Sequence, residues 1–209
     1  MYSIGAVSES DPLVVEGPTL TLRYATRDDA PRLLELASDA EVTRWFSWGP
    51  YTSVEQAEAY IEGLAAKRAA GELLDFLIVH RGDGPIGVTG LSELSPRNRH
   101  ATVGTWFGRD WWGSGANLES KALIAGLAFE HLGLDRLTAW ANTRNGRSQL
   151  ALERVGFRRE GVLAGWHRHG EELHDVVVFG MLRGDWERSP LTDFAVTVRG
   201  TPPASFVVA

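Results

Sequence analysis

The segment of residues 101–132 constrains the fold most, because it passes from a strand through a glycine-bearing turn into a long helix. Residues 101–107 are rich in β-branched and aromatic side chains, the composition of a strand. Apolar residues then recur at helical spacing and predict one face of a helix, namely Leu118, Ala122, Ala125 and Phe129. The rest of the chain is organised around this succession of elements.

The turn places five small residues where the strand gives way to the helix: Gly113, Ser114, Gly115, Ala116 and Asn117. Small side chains let an anion approach the backbone, and the unpaired N–H groups and dipole of a helix N-terminus favour a phosphate. The dinucleotide fingerprint does not fit, because Leu118 stands in place of its third glycine, and the Gly-Lys of an ATP P-loop is absent. The turn predicts a pyrophosphate cradle, with a plain turn as the alternative.

The second half of the chain supplies further motifs. A predicted strand at 134–141 leads into Asn-Thr-Arg-Asn-Gly-Arg-Ser (142–148), a short helix to Val155, and Gly-Phe-Arg-Arg-Glu-Gly (156–161). This order resembles the GNAT acetyltransferase superfamily. The patterns W-W-G-S-G-A-N-x-E-x-K, N-x-x-S and G-F-R-R-E-G are similar to the branch that acetylates ribosomal-protein N-termini, and the resemblance covers residues 18–186.

The resemblance implies a mixed α/β fold, in which helices flank a mostly antiparallel sheet with a splayed pair of strands. It also implies acetyl-CoA as co-substrate and an amine as acceptor. The coenzyme contacts would come from the turn, from the strand end before it and from the N-x-x-S motif: Trp106, Phe107, Trp112, Gly113, Ser114, Gly115, Ala116, Asn117, Asn145 and Ser148. A backbone N–H near Trp106 and Phe107, where the strand is expected to bulge, would stabilise the oxyanion.

Two side chains are candidates for proton transfer. Many family members protonate the leaving thiolate with a tyrosine at the position that Leu152 occupies here, so Ser148 is the candidate acid. Asn145 and Ser148 would look the same if they only capped a helix. The carboxylate base of the ribosomal branch falls on His167, whose imidazole can accept an ammonium proton. The rival bases are Glu119, His100, His169 and Asp175, of which Asp175 could instead orient the substrate amine.

Aromatic residues are crowded into residues 41–51, which in the family line the acceptor pocket. Trp45 and Trp48, with Trp166 and Asp175, are therefore the candidate pocket residues, and the alternative is that the aromatics only close one end of the core. The preferred acceptor is a protein or peptide N-terminus. A small amine such as a polyamine, amino acid or aminoglycoside, or a non-catalytic CoA-binding role, stays open.

Composition excludes several functions. The 209 residues include no cysteine, which rules out disulfides, thiolate metal sites and a cysteine acyl-enzyme, and no His, Asp or Glu grouping has metal spacing. A net charge of −6 argues against nucleic-acid binding. Because no signal peptide or membrane-spanning run is visible, we expect no membrane association and a cytoplasmic location.

Three regions are predicted: a flexible arm at 1–17, the acetyltransferase domain at 18–187, and an extension at 188–209. The extension either is disordered or adds a strand to its own sheet or to a second subunit, and its phenylalanines and valines favour an ordered role. A homodimer is an expectation from the family. Within the domain, capping boxes begin helices after Thr26 and Ser53, and the remaining strands are predicted at 19–24, 73–80, 86–94, 157–166 and 173–182.

Overall fold

The computed structural model describes residues 12–208. It contains nine strands, which are β1 (Val14–Glu16), β2 (Leu20–Arg23), β3 (Leu73–His80), β4 (Gly84–Ser95), β5 (His100–Phe107), β6 (Arg136–Asn142), β7 (Arg158–His169), β8 (Glu172–Leu182) and β9 (Thr197–Arg199). The α-helices are α1 (Ala30–Ala37), α2 (Ala40–Thr43), α3 (Val54–Ala69), α4 (Ala116–Gly126), α5 (Gly146–Arg154) and α6 (Arg183–Trp186). No described helix is long and apolar enough to span a membrane.

The nine strands form one sheet in the order β7-β8-β6-β5-β4-β3-β2-β1-β9. Neighbouring strands are antiparallel except β5 and β6, which are parallel because the connection through α4 returns the chain to the same edge. The predicted mixed α/β fold, with a mostly antiparallel sheet flanked by helices, is confirmed.

The parallel pair β5 and β6 separates soon after it begins. Its register covers only His100 with Arg136, Ala101 with Leu137, and Thr102 with Thr138. Beyond Thr102 the two strands diverge, so that the end of β5 at Phe107 and the end of β6 at Asn142 form the two sides of a cleft. This cleft is the splayed strand pair that the family resemblance implies.

Helices cover both faces of the sheet. On one face, α1 and α3 pack against Leu77 of β3, Val88 of β4 and Trp106 of β5. Both capping boxes that the sequence predicts are present: Thr26 with Asp29 before α1, and Ser53 with Gln56 before α3. On the opposite face lie α4 and α5, with Leu123 and Leu152 among the buried side chains of the main core.

Both ends of the described chain are paired into the sheet, which was expected for the extension but not for the N-terminal arm. Residues 1–17 were predicted to be a flexible arm, but β1 lies within them, and Leu13 and Val15 are fully buried; residues 1–11 of that prediction lie outside the described residues. Strand β9 of the extension pairs with β1, with Val15 opposite Val198. The extension therefore adds a strand to its own sheet. A three-residue strand is too short for alternation to reveal it in sequence.

Candidate active site

The glycine turn between β5 and α4 forms one wall of the cleft. Gly113 and Gly115 have φ values of 79° and 94°, a left-handed conformation that favours glycine. A β-carbon at either residue would have no atom of the described chain within 4 Å, so these residues leave open space beside the turn. Ser114 Oγ accepts a hydrogen bond from the Ala116 N–H at 3.2 Å, at the first residue of α4. The turn thus exposes backbone at a helix N-terminus, as an anion site requires.

A cation lies beside this turn. The Trp112 indole donates a hydrogen bond to the Phe107 carbonyl at 3.1 Å, which fixes its ring, and the Arg147 guanidinium stands 3.1 Å from the ring centroid. Arg147 belongs to the first turn of α5, so this contact bridges the cleft between the ends of β5 and β6. Partial burial lowers the pKa of Arg147, and the charge of Glu41 opposes that shift.

The opposite wall of the cleft carries the N-x-x-S motif at the start of α5. Asn145 Oδ1 accepts a hydrogen bond from the Ser148 backbone N–H at 3.2 Å, so this asparagine does act as a helix cap. The Ser148 hydroxyl is partly buried and makes no hydrogen bond within the described part of the chain. At the end of β6, Asn142 Nδ2 is buried and has no hydrogen-bond partner among the described residues. Both side chains therefore keep polar atoms free near the cleft.

An aromatic cavity lies where the aromatic-rich segment 41–51 meets the C-terminal end of β7. Its volume is about 180 Å³. The structure brings together here three sequence-predicted pocket residues and the candidate base. The lining residues are Trp45, Phe46, Ser47, Trp48, Trp166, His167, Arg168 and His169.

Aromatic contacts tie this cavity to the splayed strands. The Trp48 ring packs on Trp106 of β5 at 5.6 Å between ring centroids, and His167 packs on Trp140 of β6 at 4.9 Å. One side of the cavity thus touches β5 and the other touches β6. An acceptor held in it would lie against the strands whose divergence forms the cleft.

His167 has the properties that a base needs at neutral pH. Burial lowers the pKa of its imidazole, the charge of His174 lowers it further, and Glu93 acts in the opposite direction. The ring is therefore neutral near pH 7 and can accept a proton. The pKa of His169 is lowered for the same main reason, burial, and its ring stands 6.0 Å from that of His167.

The other rival bases have different surroundings. Glu119 is buried and accepts hydrogen bonds from the Thr19 N–H, the Thr19 hydroxyl and the Leu20 N–H, which fastens α4 to β2. His100 begins β5, at the end opposite to the cleft. Asp175 is exposed, and its carboxylate accepts a hydrogen bond from Gly165 at 2.7 Å; it braces an irregular part of β7 and is not among the residues lining the cavity.

The expected bulge near Trp106 and Phe107 is not observed. The register of β5 with β4 runs unbroken from Thr102 opposite Ser92 to Phe107 opposite Gly87. The irregularity of this hairpin lies instead between Ser92 and Ser95. The backbone on the cleft side of β5 is freed by the departure of β6, so no bulge is required to expose it.

No grouping of three or more His, Asp or Glu side chains that could hold a metal occurs within residues 12–208. A wider, open cavity of about 560 Å³ lies on the outer side of the glycine turn. Its lining includes two carboxylates, which suit a pyrophosphate poorly. The residues around it are Arg32, Asp83, Asp110, Trp111 and Ser114.

Comparison with known proteins gives the family. The profile of the "Acetyltransferase (GNAT) domain" matches residues 19–158, which include the glycine turn, the N-x-x-S motif and the Gly-Phe entry to β7. The chain belongs to the GNAT acetyltransferase family. It is therefore an N-acetyltransferase of a family that uses acetyl-CoA.

Two curated relatives and one solved structure illustrate how far the similarity extends. "Uncharacterized N-acetyltransferase p20" of Bacillus licheniformis is 31% identical over 80% of this chain and 94% of its own length. "Putative ribosomal N-acetyltransferase YdaF" of Bacillus subtilis (strain 168) is 28% identical over 80% of this chain and 93% of its own. The crystal structure of a "putative acetyltransferase from T. thermophilus" is 30% identical, covering 90% of this chain and 95% of its own, with a TM-score of 0.74.

The residues of this GNAT fold that fit acetyl-CoA come from both walls of the cleft. The open turn around Gly113 and Gly115 and the guanidinium of Arg147 suit a pyrophosphate. The unpartnered Asn142 Nδ2 suits an amide carbonyl of the pantetheine arm.

Sequence reasoning missed several polar groups of the site region. Asn142 and Arg147 stand within a recognised motif, but only the structure shows that one has an unpartnered amide and the other lies on Trp112. Three further charged residues were missed because a single polar residue within a strand or helix is normally taken to face solvent. They are Asp75, Glu93 and Lys121. An aspartate between Leu74 and Phe76 in an apolar strand was the one available signal.

Proposed function

We propose that this GNAT protein transfers the acetyl group of acetyl-CoA directly to the primary amine of a protein or peptide N-terminus. The observation that carries the proposal is the position of the splayed cleft between two sites. The glycine turn with Arg147 lies on one side, and the aromatic cavity with His167 lies on the other. A thioester and an amine that enter from these two sides meet between β5 and β6.

Each step has a residue suited to it. The turn from Trp112 to Asn117 holds the pyrophosphate, Asn145 orders the start of α5, and a backbone N–H of β5 near Trp106 and Phe107 stabilises the oxyanion. Acetyl-CoA supplies the acetyl group as a thioester. The bond from nitrogen to the carbonyl carbon forms as the bond from carbon to sulfur breaks.

Proton transfer completes the reaction. His167 accepts the proton that the acceptor amine loses, and Ser148 donates a proton to the departing thiolate and regains one from solvent. The absence of cysteine favours this direct attack over a thioester acyl-enzyme.

The choice of a peptide acceptor rests on sequence resemblance and on the name of the relative YdaF, which refers to a ribosomal N-acetyltransferase. A second candidate, acetylation of a small cationic or aromatic amine, is favoured by the cavity itself, since indole faces such as Trp45 and Trp48 attract cations. A cytoplasmic location and a homodimer stay predictions of the sequence.

Release of CoA thiol tests the proposal. Acetyl-CoA is incubated with serine- and alanine-initiated peptides, polyamines, amino acids and aminoglycosides, while calorimetry confirms coenzyme binding. We expect thiol release with the peptides. Thiol release with small amines alone would support the second candidate, acetylation of a small amine. Tight coenzyme binding without thiol release for any acceptor would indicate a non-catalytic CoA-binding module.

A further inference from the structure

A carboxylate that has no role in the proposed reaction, that of Asp75, lies on the face of the sheet that α1 and α3 cover. Asp75 of β3 is covered by α3, whose Tyr60 hydroxyl donates a hydrogen bond to Asp75 Oδ2 at 2.8 Å. Asp75 Oδ1 accepts no hydrogen bond from any described side chain, and Asp75 forms no ion pair with any of them. One oxygen of the carboxylate is thus held by the protein and the other is available.

Two glycines form a groove beside this free oxygen. Asp75 pairs across the sheet with Gly90 of β4, and Gly90 pairs with Gly104 of β5. A β-carbon at Gly90 would collide with Asp75 Oδ1, so the carboxylate lies directly over this glycine. A β-carbon at Gly104 would meet no atom of residues 12–208 within 4 Å. The groove therefore has a glycine floor, the carboxylate at one end and open space at the other.

The groove leads to the site described above. Trp106 follows Gly104 by two residues and so projects from the same face of β5, where it packs on Trp48 of the aromatic cavity. On its other side the groove reaches the cleft, because β6 leaves β5 after Thr102. A group placed over Gly104 would lie beside both the cavity and the diverging strands.

The electrostatic setting of Asp75 suits a cationic ligand. Burial raises the pKa of Asp75 to about 6, while the Tyr60 hydrogen bond and the charge of Lys67, both on α3, lower it. Glu93 of β4 is the next charged group along the same face, where it accepts a hydrogen bond from Thr102. At pH 7.5 Asp75 is ionised, and a largely buried anion without a counter-ion is costly unless a cation pairs with it.

We infer that Asp75 Oδ1 binds the ammonium group of the acceptor over Gly104, so that the protein selects amines that arrive protonated. Tyr60 holds the carboxylate in place for this contact. The inference rests on the proposed function, and it assigns Asp75 to recognition of the acceptor, whereas His167 takes the proton. It also narrows the acceptor class to cationic primary amines.

Calorimetry on the protein saturated with CoA tests the inference without requiring turnover. The probes are a serine-initiated octapeptide with a free α-amino group, the same peptide N-α-acetylated, and spermidine. For Asp75→Asn we expect at least a tenfold loss of affinity for the free peptide or spermidine at pH 7.5, and no change for the acetylated peptide. At pH 5 Asp75→Asn and wild type should bind these amines with nearly equal affinity, because Asp75 is then protonated in the wild-type protein too.

Two further variants separate recognition from structure. Tyr60→Phe keeps the carboxylate but loses the hydrogen bond that lowers the pKa of Asp75. As the pH falls, this variant should therefore lose its affinity for amines at a higher pH than wild type does. Gly104→Ala should block amine binding while CoA binding is kept, because it fills the groove without a clash. This variant also tests the inference if Asp75→Asn does not fold.

The outcomes distinguish the inference from the proposed reaction. Equal amine affinity for Asp75→Asn and wild type at pH 7.5, or no preference of wild type for the free amines, overturns the inference even where thiol release supports the reaction. Binding that depends on Asp75 without thiol release for any acceptor overturns the reaction and leaves the inference standing.

Discussion

At the scale of single residues, a substitution of Ser148 can distinguish a role in helix capping from a role in catalysis, because its backbone N–H and its hydroxyl have different surroundings. The backbone N–H donates a hydrogen bond to Asn145, whereas the hydroxyl has no hydrogen-bond partner within residues 12–208. Ser148→Ala keeps the first contact and removes the second. We expect turnover to fall by about 10²-fold, with CoA affinity measured by calorimetry nearly unchanged. Ser148→Thr, which retains a hydroxyl, should recover much of the rate, and unchanged turnover in the alanine variant would exclude Ser148 as the acid.

Lys121 is a second residue whose surroundings predict a measurable effect. Lys121 is 4% exposed, its ammonium donates a hydrogen bond to the Thr105 hydroxyl and to no other group among residues 12–208, and burial lowers its pKa to about 7. An unfolded lysine titrates near 10.4. Between pH 7 and 10 the unfolded chain therefore binds more protons, and the free energy of unfolding rises with pH by on the order of 3 kcal/mol from this group.

Lys121→Met should remove that dependence and stabilise the protein at pH 6 more than at pH 10. Urea denaturation at several pH values measures the effect. Lys67→Met, at an exposed position of α3, is the matched control; because Lys67 influences only the titration of Asp75 near pH 6, this variant should leave the rise in stability between pH 8 and 10 as in wild type. A variant that is less stable than wild type at pH 6 would contradict the account.

At the residue scale, the sequence predicted side chains that belong to family motifs and missed those defined by their neighbours. Trp48, Trp166 and His167 were predicted and lie around one cavity. Asp75 was missed because its significance depends on Gly90 and Gly104, which are distant in sequence and adjacent only across the sheet. Strand pairing between distant segments is information that local patterns do not contain.

At the scale of elements, the same contrast holds for strands. Strand β3 was predicted at 73–80 and has those bounds, because eight residues of apolar character suffice to identify it. The bulge expected in β5 was wrong, since its register with β4 is continuous. Helix α4 was predicted with one apolar face, but Glu119, Ser120 and Lys121 on its other sides are also buried. Segments near both ends of the described chain contribute to this burial, since Thr19 binds Glu119 and Val196 lies against Gly126.

The contact of Arg147 in α5 with Trp112 beside the glycine turn predicts that both elements contribute to CoA binding. Arg147 lies on Trp112 across the cleft. Arg147→Ala should weaken CoA binding about tenfold at low ionic strength, and the deficit should shrink at high salt because screening reduces the attraction to phosphates. Arg147→Lys keeps the charge and should lose less affinity.

Arg144→Ala provides the matched control, since Arg144 is exposed in the same connection between β6 and α5. Calorimetric titration with CoA at two salt concentrations measures all three variants. A loss for Arg144→Ala as large as that for Arg147→Ala would indicate a general effect of positive charge and not a contact of Arg147.

At the scale of the whole molecule, the C-terminal extension encloses the helix that carries the glycine turn. Val196 lies so close to Gly126 of α4 that an added β-carbon would come within 3.3 Å of it. Ser205 Oγ donates to the Arg68 carbonyl at the end of α3, and Val208 N–H donates to the Leu132 carbonyl after α4. The extension thus fixes both helices against the sheet, although it lies beyond the region matched by the family profile.

This enclosure predicts that the extension stabilises the whole fold. Phe206 is 0% exposed and belongs to the main core, whereas its neighbour Val207 is 47% exposed. Phe206→Ala should cost about 3–5 kcal/mol of unfolding free energy, because it leaves a cavity in a packed core. Val207→Ala should cost a small fraction of that. Urea denaturation measures the free energy of unfolding of both variants. A single cooperative transition that is shifted only in Phe206→Ala would show that the extension folds together with the domain. Equal, small losses of stability in both variants would show that the extension packs loosely on a domain that is stable without it.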